Sequence, residues 1–119
     1  MKKIILCSLA LLAACGDVGT AGLTPKTYSQ PLVMTSTSLD ADIAFARSPD
    51  EVTRWCILMG GPETKFQQYY TGCATAPNTR HNPSKRWIIY AVRPTSWNDH
   101  ASLSNLGHEV AHALGASHE

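Results

Sequence analysis

Apolar residues run along this chain in separate blocks, and the spacing inside each block predicts a different element. The first block, Ile4 to Ala14, is almost unbroken, with Lys2 and Lys3 ahead of it and small residues at its end. That is the layout of a secretory signal; a bilayer-spanning helix needs about 20 apolar residues. In SPDEVTRWCILMGG, from Ser48, the residues Val52, Trp55, Cys56 and Met59 fall on one helical face. Ser48 is placed to cap this helix, Pro49 fits its first turn, Glu51 completes a capping box and Gly60-Gly61 ends it, so a core helix is predicted with Cys56 pointing inward. RWIIYAVRP, residues 86 to 94, is dense in β-branched and aromatic residues and stops at a proline, which predicts a buried strand. The short apolar run within Leu32 to Thr37 predicts a first strand, and Phe66 to Thr71 can form another inside a turn-rich segment. In the last block Asp99 or Ser102 can cap a helix running to about Leu114, where Gly115 supplies the left-handed residue that stops it.

The predicted order of strand, helix, strand and final helix makes this an α+β chain, and 119 residues hold one core at most. Residues 1 to 14 read as the signal. Residues 15 to 31, rich in Gly, Thr, Ser and Pro, read as a flexible tether, and residues 32 to 119 as the folded domain.

The end of the signal, Leu12-Ala13-Ala14-Cys15, resembles the lipobox of bacterial lipoproteins, in which cleavage before the cysteine is coupled to its lipidation. The resemblance implies a lipid on Cys15 and a place in the bacterial cell envelope, anchored to a membrane and facing the periplasm or exterior. Cys7 would leave with the signal, so Cys56 and Cys73 remain, and two cysteines in an exported chain predict a disulfide. Neither sits in a Cys-x-x-Cys spacing, which argues against metal binding by this pair. Lys2 and Lys3 are two of the ten Lys and Arg residues, so the mature part carries eight against nine Asp and Glu. It is close to neutral and has no basic run, which argues against a nucleic-acid partner.

The candidate chemistry lies in GHEVAHALGASHE, residues 107 to 119. On a helix His108 and His112, four apart, share a face and can present two imidazoles to one cation. Glu109 follows the first of them and can serve as a base without being a ligand, the His-Glu-x-x-His arrangement in which zinc activates water and the glutamate takes its proton. The turn at Gly115 would swing His118 back to the same point as a third ligand, leaving a fourth position open, as in a catalytic zinc site. His81 and His100 lack the spacing to join this set. Tyr69, Tyr70 and Tyr90 could each stabilise an oxyanion, and nothing in the sequence selects one. Trp97 and His100 precede the helix and are placed near the cleft.

HEVAHALGASH resembles the long zinc signature of the metzincin metallopeptidases, and Glu119 after the last histidine is similar to the astacin version of it. The resemblance implies one zinc ion per chain on His108, His112 and His118, Glu109 as general base, peptide or protein substrates, and a fold like a minimal metzincin N-terminal half. It also implies a methionine-containing turn beyond the motif. Here Met1, Met34 and Met59 all precede it, so the lower cleft wall is expected to be absent or supplied by a partner. The other readings of the same residues are a non-catalytic zinc-binding lipoprotein that uses the site for docking or folding, and a piece of a longer peptidase.

Overall fold

The computed structural model describes residues 27–118 and the backbone of 14–19. Residues 1–13 of the expected signal, 20–26 of the expected tether, and Glu119 lie outside the described residues, as does the Cys15 side chain. Among the described residues no helix is long and apolar enough to cross a membrane.

The described elements are β1 (Ala14–Gly19), β2 (Ala41–Ala46), α1 (Pro49–Leu58), β3 (Tyr69–Thr75), β4 (Trp87–Val92) and α2 (His100–Ala113). The strands form one mixed sheet in the order β1-β3-β4-β2. β2 runs parallel to β4, while β3 runs antiparallel to both β4 and β1. The α+β class expected from the sequence is the one observed. β1 falls within the stretch read as signal end and tether. The strand expected over 32–37 is not formed: Leu32 and Val33 are exposed, and the backbone N–H groups of Thr35 and Ser36 go to Leu114 at the end of α2. β2, which the sequence reading passed over, takes its place in the sheet. Three of its six residues are alanines and a fourth is Asp42, so its alternation carries little strand signal.

α1 forms for the reasons its sequence suggests. Ser48 has extended backbone and its hydroxyl accepts the Glu51 N–H at 3.2 Å. Glu51 reaches back one residue farther than in a standard box, accepting from the Arg47 N–H at 2.8 Å. The helix stops at Gly60, whose φ of +98° suits glycine, and Gly61 returns an N–H to Cys56 O. Val52 and Cys56 are fully buried, with Trp55 and Met59 packed beside them.

The two helices cover opposite faces of the sheet. Neighbouring strand residues point to opposite faces, and Cys73 packs with Val52 and Cys56 of α1 while Ala74 packs with Ala113 of α2. On β4, Ile89 belongs to the α2 side and Val92 to the α1 side. The pairing of β1 with β3 shifts between Asp17, opposite Gly72, and Val18, opposite Tyr70, so Thr71 is the extra residue on β3. This bulge lets Tyr70 and Cys73, three apart, both face α1, and so turns Gly72 toward α2. The Cys56–Cys73 disulfide, with Cα atoms 5.9 Å apart, pins α1 to β3 as expected. The Tyr70 N–H donating to Thr53 Oγ1 at 2.8 Å adds a second tie.

Candidate metal centre

α2 begins at Asp99. Its carboxylate accepts the N–H groups of Thr95 at 3.0 Å and Ser102 at 3.2 Å, and these bonds hold its pKa below the usual carboxylate range. The buried residues of the helix are Ser102, Asn105, Glu109, His112 and Ala113. A polar stripe facing a sheet is unusual for a core helix and marks this face as one that does more than pack.

Helical spacing brings His108 and His112 together, their Nε2 atoms 3.1 Å apart. Gly115, with φ +98°, reverses the chain, and His118 returns toward the same point. The ring centroids lie 4.7 Å apart for His108–His112, 5.1 Å for His108–His118 and 4.7 Å for His112–His118. One nitrogen from each ring lies within 4.8 Å of the others, so the three histidines form a cluster able to hold a metal ion. The set is compatible with zinc: Zn–N bonds of about 2.0–2.1 Å in a tetrahedron place ligand nitrogens about 3.3 Å apart, close to the 3.1 Å between the Nε2 atoms of His108 and His112. His112 Nδ1 lies 2.9 Å from Ala116 O. A carbonyl only accepts, so Nδ1 carries the proton and Nε2 turns its lone pair toward the cluster, the usual way a ligand imidazole is oriented.

Glu109, one residue after His108, is fully buried. It lies against β3 at Gly72, where a Cβ would stand 2.9 Å from Glu109 Cγ, 2.9 Å from Tyr90 O and 3.3 Å from Glu109 Oε2. Gly72 is therefore part of the site, holding open the space that the carboxylate occupies. The sequence offered only a weak signal for it, a lone glycine inside a strand pattern.

Tyr28 is the other residue that sequence reasoning missed. Its ring stacks on His118 with centroids 4.5 Å apart and planes at 21°, and stands 5.4 Å from His108. Together with Pro31, Leu32 and the three histidines it lines a cavity of about 260 Å³. Two of the tyrosines that the sequence left open point elsewhere. Tyr70 donates its hydroxyl to Pro62 O at 2.8 Å on the α1 side, and Tyr90 packs on Trp55. His100 starts α2 and His108 lies eight residues on, about 12 Å along a helix; Trp97 is 90% exposed ahead of that start. Neither these two nor His81 joins the cluster. Cys56 and Cys73 lie on the opposite face of the sheet, engaged with each other.

No family model, curated protein or solved structure matches the chain.

Proposed function

We propose that the protein is a zinc-dependent peptidase, exported and held at a bacterial membrane by a lipid on Cys15. The observation that carries the reading is the pairing of a three-histidine cluster, open to a cavity, with a buried carboxylate one residue after the first histidine. A site that held metal for folding alone would have no use for Glu109 in that place.

His108, His112 and His118 would hold the ion, and bound zinc would supply a Lewis acid that polarises the scissile carbonyl and acidifies the attacking water. Glu109 would act as the base, taking a proton from the attacking water and returning it to the leaving amine. Gly72 fixes where the carboxylate can sit, and Ala116 O fixes the His112 tautomer, so the base and one ligand are oriented before substrate arrives. The cavity walled by Tyr28, Pro31 and Leu32 is the entry for a peptide.

Glu109→Gln tests the reading. The variant keeps the side chain's size and cannot take a proton, so zinc content should stay near one per chain while cleavage of a peptide library falls by about 10² to 10⁴. His118→Ala should instead weaken zinc binding, because a ligand has gone. Zinc-loaded wild-type protein that cleaves nothing would remove the peptidase reading and leave the docking role in its place.

A further inference from the structure

The three histidines are not held equally. His108 and His112 ride on a regular helix, and His112 is oriented further by Ala116 O. His118 sits beyond the turn at Gly115, on a stretch with no regular structure. A ligand on such a stretch loses backbone and side-chain freedom when it binds an ion, and that loss weakens the metal unless something orders it beforehand.

We propose that Tyr28 is the residue that orders it: a positioning residue, which holds the His118 imidazole for the metal through ring stacking. The near-parallel pair, 4.5 Å between centroids, has the geometry of a stacked contact. The same tyrosine ring stands 5.4 Å from His108 at 31°, so it spans the helical ligand and the loop ligand together. Two hydrogen bonds anchor the far end of its segment. The N–H groups of Thr35 and Ser36 donate to Leu114 O at 2.9 and 3.0 Å, supplying partners to the open carbonyl at the end of α2. Thr35 also packs so closely on Gly115 that a Cβ there would collide with Thr35 Oγ1. Gly115 thus has two jobs, since it takes the left-handed turn and lets the upstream segment close against the helix end. The segment from Tyr28 to Ser36 is in this way a structural part of the metal centre, although it lies some 80 residues from the motif in sequence.

The inference rests on the reading of the histidines as zinc ligands, and not on whether the site turns over peptides. It is tested on the full chain with Tyr28→Ala and Tyr28→Phe. In metal-free protein the ring protons of His118 should show an upfield NMR shift from the stacked tyrosine, lost in Tyr28→Ala and kept in Tyr28→Phe. Ordering one residue is worth roughly a factor of ten in an equilibrium constant, so zinc should bind Tyr28→Ala about tenfold more weakly. It should bind Tyr28→Phe within about twofold of wild type. Cobalt(II) in place of zinc reports the ligand field directly: its visible spectrum should broaden or shift in the alanine variant and match wild type in the phenylalanine variant. Thermal unfolding of the metal-free variants separates this from a general loss of fold, since Tyr28→Ala should unfold within a few degrees of wild type. Equal zinc affinity and cobalt spectra in wild type and Tyr28→Ala would overturn the proposal. So would a Tyr28→Phe variant as weak as the alanine one, because the hydroxyl rather than the stack would then be at work. Wild-type protein that binds neither ion would overturn it too. Absence of cleavage with zinc bound would remove the peptidase reading alone.

Discussion

Glu109 and Gly72 are in mutual contact across the interface of α2 with the sheet, so close that an added Cβ at position 72 would lie 2.9 Å from Glu109 Cγ. The same Cβ would lie 2.9 Å from the backbone oxygen of Tyr90, which cannot rotate away as a side chain would. Gly72→Ala should therefore push the carboxylate out of place. A displacement of about 1 Å at a catalytic group can lower the rate by about 10², so turnover should fall on that order while zinc content stays near that of wild type. Cleavage assays paired with metal analysis check this, and unchanged turnover in a folded variant would show that the contact has no bearing on catalysis.

The disulfide lies on the other face of the sheet from the histidines, yet Cys73 adjoins Gly72. Its sequence separation is 17 residues, for which the chain-entropy model gives a stabilisation of about 3 kcal/mol. Replacing Cys56 and Cys73 together by alanine should lower the denaturant midpoint by a corresponding amount, a large fraction of the stability of a core this small. Equilibrium unfolding in urea measures it. A midpoint within error of wild type would mean that the packing around Val52 and Tyr70 suffices without the bridge.

Tyr70 links stability to pH. Burial, aided by the negative charge of Glu63, pushes its phenol from 10 up to about 12. A folded-state pKa above the unfolded value means that the folded protein keeps its proton where the unfolded chain has lost it. The associated stability is fully present below about pH 10 and is lost as pH rises through 10 to 12. Tyr70→Phe should flatten that alkaline decline. At neutral pH it should be less stable by about 1 kcal/mol, the worth of a typical hydrogen bond, here the one to Pro62 O. Urea unfolding at pH 7, 9, 10.5 and 11.5 is the measurement; the same alkaline slope in both proteins would assign the decline to another group.

Lipidation at Cys15 is open to one direct measurement. Intact-mass analysis of the membrane fraction should give a chain beginning at Cys15 and carrying acyl groups. A mature chain that starts elsewhere, or that retains residues 1 to 14, would dismiss the anchor. Cys15→Ser should release the protein from the membrane fraction.

The elements legible in the sequence are those whose cause is local. Ser48, Pro49 and Gly60 mark the ends of α1, and Asp99 and Gly115 those of α2, because capping bonds and a left-handed turn involve residues only a few positions apart. β4 was legible from its run of β-branched and aromatic residues. β2 was not, since its alanines become strand only by lying beside β4. The expected strand at Leu32 to Thr37 failed for the converse reason: an apolar run has strand propensity, but the end of α2 claims its N–H groups.

The candidate site divides along the same line. His108, Glu109, His112, Gly115 and His118 are bound by helical periodicity and one turn, so the sequence alone determined that three imidazoles would converge with a carboxylate beside them. Only tertiary structure decided what surrounds them. Gly72 meets Glu109 because a bulge at Thr71 rotates β3 by one residue, and Tyr28 meets His118 from a segment that Thr35 and Ser36 tie to Leu114. Both contacts join residues tens of positions apart in the chain. Neither follows from spacing or propensity, since contacts of that range exist only once the sheet has formed and the helix has packed upon it.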